Sequence, residues 1–170
     1  MHPLLLKLTG KDRRSIGESN RVAAKVLANP DLFGVLFDGM LADDPLIRMR
    51  AADAVEKITL AHPEYLRSYK SKLIRQVAKV EQQEVRWHVA LMFSRLTLTR
   101  KERRVVVGIL LDYLKDESKI VKTFSMQALA DIAEQDAVLR PSIVKLLEKL
   151  TRTGSPAMQS RGRKLLAKLK

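Results

Sequence analysis

The stretch that decides the fold is Ile47–Ile58, which reads IRMRAADAVEKI. Three later stretches align with it without gaps: VRWHVALMFSRL at Val85–Leu96, VKTFSMQALADI at Val121–Ile132 and MQSRGRKLLAKL at Met158–Leu169. Their first residues follow one another at intervals of 38, 36 and 37 positions. Apolar side chains occupy the first, eighth, ninth and twelfth positions of all four, and the fifth position holds Ala, Val, Ser or Gly. This spacing is that of one face of an α-helix, so the sequence predicts a repeated amphipathic helix.

Signals for helix starts separate these stretches. Thr99 and Glu102 form a capping-box pattern ahead of an apolar run, and Pro63 and Pro141 are placed to open helices that run to about Val80 and Leu150. A capping side chain also precedes a proline at three positions, Asn29, Asp44 and Ser155. No alternating apolar pattern bounded by a hairpin turn is present, which excludes a β-sheet. The sequence therefore predicts an all-α fold built from pairs of antiparallel helices.

The start of each repeated helix carries a further pattern, in which an acidic residue precedes an aliphatic–basic pair. The three instances are Asp43 before Ile47-Arg48, Glu81 before Val85-Arg86 and Asp116 before Val121-Lys122. This pattern resembles the HEAT-repeat family, which is related to the armadillo repeats, over residues 12–170. The resemblance implies a right-handed α-α superhelix (a solenoid) of about four to five antiparallel helix pairs, forming a single domain over residues 1–170. The second helix of each pair is expected near residues 15–28, 45–60, 83–98, 118–134 and 155–169.

Composition bounds the class of protein. The 170 residues include no cysteine, which excludes a disulfide scaffold, and the longest uncharged apolar run, Val105–Leu111, is far too short to span a membrane. The first residues lack the basic flank and the length of a secretory signal, so we expect a cytoplasmic protein without membrane contact. The net charge is +13, with +7 in residues 63–104 and +8 in residues 137–170. Such an excess attracts nucleic acid, or it serves solubility alone.

The resemblance places the second helices on the concave side of the solenoid, where a partner would bind. The helical phase turns the only tryptophan, Trp87, away from the apolar face of its own helix, and Arg side chains flank it. A tryptophan among arginines is a suitable anchor for a peptide or a stacked base, although Trp87 could equally pack against a neighbouring repeat. The predicted partner-binding residues are Met49, Arg50, Trp87, His88, Leu91 and Arg95.

The last helix offers a second candidate surface. Its polar side carries four cations, predicted as polyanion contacts: Arg161, Arg163, Lys164 and Lys168. The alternative is a solvated capping helix, which repeat arrays need at their ends.

No pattern of residues indicates catalysis. The three histidines have neither metal-ligand spacing nor a nucleophile beside them, so no metal and no cofactor is predicted. The sequence therefore favours a non-catalytic scaffold that binds a protein or peptide. A nucleic-acid-binding module is the alternative, and an enzyme similar to the HEAT-like DNA glycosylases, with Asp53 and Trp87 in its site, is the least favoured. The identity of the partner and the oligomeric state stay open.

Overall fold

The computed structural model describes the whole chain, Met1–Lys170, and it contains helices and no strands, which confirms the all-α prediction. Short 3-10 helices cover Pro30–Leu32, Gly39–Leu41, Pro63–Tyr69 and Val77–Lys79. The chain divides into two compact units, Met1–Leu96 and Thr97–Lys170. The ten α-helices are α1 (Pro3–Leu6), α2 (Ser19–Ala28), α3 (Phe33–Asp38), α4 (Pro45–Ala61), α5 (Lys70–Arg75), α6 (Gln83–Phe93), α7 (Arg100–Tyr113), α8 (Lys119–Gln135), α9 (Arg140–Thr153) and α10 (Pro156–Leu169).

The capping signals explain where most of the long helices begin. The Asp44 side chain accepts a hydrogen bond from the backbone N–H of Leu46 at the start of α4, and Ser155 caps α10 in the same way. Both halves of the Thr99–Glu102 capping box are formed at the start of α7. Each cap satisfies a backbone donor that the first helical turn leaves without a partner. Asn29 is the exception, because its side chain makes no capping bond and a 3-10 turn follows it.

The helical phase read from the sequence is confirmed in the four aligned stretches, which lie in α4, α6, α8 and α10. The ninth and twelfth positions are buried in the first three stretches and half-buried in the last, at Leu166 and Leu169. The first, fifth and eighth positions are buried in all four stretches: Ile47, Ala51, Ala54, Val85, Val89, Met92, Val121, Ser125, Ala128, Met158, Gly162 and Leu165. Removing these side chains from water is the main stabilising contribution to the fold.

In the first unit, α4 packs against α2 on one side and α6 on the other. The expected helix from Pro63 to Val80 is wrong: this segment is broken into two 3-10 turns around the short α5. Tyr65 and Tyr69 both lie edge-on to the ring of Phe33, each with ring centroids 5.2 Å apart. The break therefore coincides with an aromatic cluster, whose edge-to-face geometry is favourable in itself.

In the second unit, α8 packs against α7, α9 and α10, and α10 packs most extensively against α9. The last two helices approach closely where Gly162 of α10 faces Thr151 of α9. A Cβ atom at position 162 would lie only 1.9 Å from the Thr151 hydroxyl oxygen. The small residue at the fifth position of this repeat is thus required by a neighbouring helix.

Candidate functional site

One buried arginine organises the segment that precedes α2. Arg50 is 4% exposed, and its guanidinium donates hydrogen bonds to the backbone carbonyls of Leu8, Thr9, Asp12 and Ser15 at 2.6–3.1 Å. Residues 9–18, here called the N-terminal loop, therefore wrap around this group. Gly17 adopts a left-handed φ of +54°, and a Cβ there would meet the guanidinium at 2.6 Å. Glycine is needed because it alone has no Cβ at this close approach.

This arrangement bears on two expectations. Arg50 was predicted as a partner-binding residue; its guanidinium N–H groups are occupied by four carbonyls, so it holds the loop in place. The expected helix near residues 15–28 begins only at Ser19, because the chain before it is held by Arg50. Ile16, which precedes the helix, is 42% exposed as a result.

A recess of about 330 Å³ lies between the N-terminal loop, α4 and α6. Its apolar lining comes from Ile16, Met49 and Trp87, of which Met49 and Trp87 are half-buried. The charged and polar lining comes from Arg13, Arg14, Ser15, Arg50, Asp53, Glu84 and His88. The structure therefore brings four of the candidate partner-binding residues, Met49, Arg50, Trp87 and His88, to one recess, and it adds a wall from the N-terminal loop that the sequence did not indicate.

The floor beside this recess is a network of polar side chains across α2, α4 and α6. Asp53 accepts hydrogen bonds from the Ser19 hydroxyl and, at 2.6 Å, from Lys57. Lys57 also donates to the side chain of Asn20 at 2.7 Å. These bonds tie α2 to α4 and fix the Asp53 carboxylate in place. Because the network is formed within the protein, the groups beside the recess are already ordered before any partner arrives.

His88 lies on the α6 side of the network and is largely buried. Its Nε2 is 4.0 Å from Asp53 Oδ1, too far for a hydrogen bond, and its Nδ1 is buried without a partner. Burial lowers the pKa of His88, and this effect outweighs the nearby carboxylates of Asp53 and Glu56, which act in the opposite direction. His88 therefore contributes a neutral imidazole to the recess near pH 7.

The two remaining predicted contacts lie outside the recess. Arg95 is tied to α4, since its guanidinium donates to the carboxylate and backbone carbonyl of Glu56 and to the Thr59 hydroxyl. Its side chain is only 13% exposed, so it acts as a cross-link between helices. Leu91 is half-buried on α6 and does not line the recess.

The predicted cations of the last helix divide into two kinds. Arg161 donates to Gln127 at 2.7 Å, and Lys168 pairs with Glu134 at 2.8 Å, so both hold α10 to α8. The hydrogen bond with Glu134 raises the pKa of Lys168. Arg163 and Lys164 are exposed, and so is the Lys168 side chain, at 63%. Of the four cations, Arg163 and Lys164 are thus exposed without the tie to α8 that Arg161 and Lys168 make.

The structure places no three side chains of the His, Asp and Glu type where they could share a metal ion. Its helices are also either too short or too polar to cross a lipid bilayer.

Protein-family models, curated proteins and solved structures give no match to this chain.

Proposed function

We propose that the chain is a non-catalytic binding protein that captures a segment of another protein, or a peptide, in the recess beside Trp87. The observation that carries this proposal is the combination of three apolar side chains, Ile16, Met49 and Trp87, around a recess with ordered polar walls. Large aromatic side chains in such recesses are the typical anchors of protein interfaces, and methionine adapts its shape to what it meets.

The charges of the recess favour a peptide over a nucleic acid. Asp53 and Glu84 both line it, and their carboxylates repel phosphate groups. Arg13 and Arg14 stand on the opposite, loop side, and Arg14 is 95% exposed. A peptide can carry groups of both signs beside an apolar side chain, and therefore matches this lining better than a polyanion does.

The state of Asp53 supports binding rather than catalysis. One of its oxygens accepts hydrogen bonds from both Ser19 and Lys57, and the nearest imidazole nitrogen is beyond hydrogen-bonding distance. A carboxylate held in this way stabilises the contact between helices. A structural role for Asp53 is therefore better supported than the catalytic role that a glycosylase-like site would give it.

For the overall architecture we propose the right-handed HEAT-like superhelix that the sequence pattern implies, in a cytoplasmic protein. The order of packing within each unit supports it, since α2, α4 and α6 are successive neighbours, and so are α8 and α10. Small-angle X-ray scattering tests this proposal, because a solenoid and two independently moving units give different distance distributions.

The test of binding starts from a random peptide library selected against the wild-type protein. We expect Trp87→Ala to weaken the selected peptides about 30-fold or more, as truncating an interface anchor does. Leu111→Ala is the matched control, because Leu111 is an exposed apolar residue of the second unit and is 42% exposed. The fluorescence of Trp87, the only tryptophan, reports binding directly.

Two outcomes would contradict the proposal. One is a selection that yields no peptide above background. The other is a set of peptides whose affinity is the same for wild type and Trp87→Ala, which would place the binding surface elsewhere.

A further inference from the structure

The segment that contains α9 and α10, residues 140–170, carries nine basic residues and a single acidic one, Glu148. Lys170 forms an ion pair with Glu148 at 2.8 Å, and this hydrogen bond lowers the pKa of Glu148. The only carboxylate of the two helices is thus neutralised inside the pair. Residues 140–170 contain no other Asp or Glu side chain that could balance the remaining cations of these helices.

Three of these cations follow one face of α9. Lys145, Lys149 and Arg152 are all exposed, and their spacing of four and three residues places them in one row along the helix. Arg163 of α10 extends the row sideways. It precedes Lys170 by seven residues, nearly two turns, and so lies on the side of α10 from which Lys170 reaches Glu148 of α9. We call Lys145, Lys149, Arg152 and Arg163 the cationic face.

We infer that the cationic face binds the phosphate backbone of duplex nucleic acid without reading its sequence. From Lys145 to Arg152 the helix rises about 10 Å, which corresponds to about three phosphates of one strand along a duplex axis. The row thus presents cations at about the spacing of the phosphates of one strand of a duplex.

The rest of the surface excludes the other partners that cations attract. The exposed positions of α9 outside the row are Pro141, Ser142 and Thr153. The one apolar side chain in the hollow that Lys145, Lys149 and Arg152 line is the half-buried Leu146, so this face has no large exposed apolar side chain to anchor an acidic protein. The aromatic residues of the second unit, Tyr113 and Phe124, lie on other helices, so no ring is available to stack the bases of a single strand. Contact with phosphate groups is therefore the interaction that the cationic face supports best.

This surface is independent of the recess beside Trp87, and its test separates the two. The probe is a fluorescently labelled duplex of about 20 base pairs, titrated by anisotropy between about 50 and 200 mM salt. We expect Lys145→Gln/Lys149→Gln/Arg152→Gln to weaken binding roughly tenfold per contact at the lower salt, and to reduce the salt slope by about three. Arg163→Gln should reduce the slope by about one more, whereas Trp87→Ala should leave duplex binding unchanged.

The matched control removes the same charge from exposed cations of the first unit, in Lys25→Gln/Arg75→Gln/Lys79→Gln. Equal weakening by both triple variants would mean that net charge alone attracts the duplex, and would overturn the inference. So would the absence of wild-type binding at the lower salt. Tighter binding of the single strand, or of poly-glutamate, than of the duplex would show that the face serves a different partner. Circular dichroism of each variant verifies that these surface changes leave the fold intact.

Discussion

Replacing Gly162 by alanine tests the close contact between α9 and α10. Alanine is a better helix former than glycine by about 1 kcal/mol in a helix interior. At position 162, however, the new Cβ would lie 1.9 Å from Thr151 Oγ1 and 2.9 Å from Thr151 Cβ, both inside van der Waals contact. Thr151 must therefore move, its hydrogen bond to the Leu147 carbonyl is disturbed, and overpacking of this kind costs about 1–3 kcal/mol. We expect the gain in helix propensity to be cancelled or reversed.

Gly108→Ala is the matched control, because Gly108 lies inside α7 and a Cβ there has no atom within 4 Å. Gly108→Ala should raise the free energy of unfolding by about 1 kcal/mol. The free energies of unfolding of Gly108→Ala and Gly162→Ala should therefore differ by the cost of the clash with Thr151, about 1–3 kcal/mol. The assay is urea unfolding followed by far-ultraviolet circular dichroism, with Trp87 fluorescence as a separate reporter of the first unit. Thr151→Ala should be less costly in the Gly162→Ala background than in wild type. Equal stabilisation by Gly108→Ala and Gly162→Ala, or strict additivity with Thr151→Ala, would refute the reasoning.

Three further predictions concern the first unit and the core. Arg50→Ala should speed trypsin cleavage after Arg13, because four backbone carbonyls lose the guanidinium that holds the N-terminal loop. An unchanged digestion rate would show that other contacts order the loop. Burial lowers the pKa of His88 in the folded state, so the unfolded state takes up the proton first and the free energy of unfolding should fall as the pH drops below about 7. In urea titrations at several pH values, His88→Gln should lose less stability than wild type over this range. Identical pH profiles of the two proteins would contradict the prediction. Arg95→Ala should lower the free energy of unfolding by about 2–3 kcal/mol, because it leaves the half-buried carboxylate of Glu56 without its cation. This loss is close to the roughly 2–5 kcal/mol expected for Ile132→Ala. A loss of only a few tenths for Arg95→Ala would mean that the cross-link is unimportant in solution.

The core could be predicted from the sequence because helical periodicity is a local property. The burial of the first and eighth positions of the four aligned stretches follows from spacing alone. The need for a small residue at Gly162, in contrast, follows from its contact with Thr151. The first unit shows the limit of this reasoning: the same phase places Ile16, Ala23, Ala24 and Leu27 inward, but only Ala23 of these is buried. The other buried residues of α2 are Ser19, Val22 and Val26. The loop before α2, held from another helix, shifts the helix and its phase.

The roles of the charged residues could not be predicted from composition. Arg50, Arg95 and Arg161 all follow the helical pattern of exposed cations, but each finds its partner in another element of the fold. One signal was available: Ser19–Asp53, Arg48–Gln82, Arg161–Gln127 and Lys168–Glu134 all join residues 34 positions apart, close to one repeat. Pairing polar residues at that separation would have identified these cross-links between helices that pack against each other.

The buried guanidinium of Arg50 also has a consequence for the order of folding. Its hydrogen bonds join residues 35–42 positions apart, and closing so long a stretch of chain carries an entropic cost that local helix formation does not. The N-terminal loop has no regular structure of its own, so it can dock only once α4 exists to present the guanidinium. We therefore expect the recess to be completed late in folding, so that a molecule whose N-terminal loop is undocked lacks one of its walls. A partner that needs this wall would bind only the finished structure, and by mass action its binding would protect that structure from local unfolding.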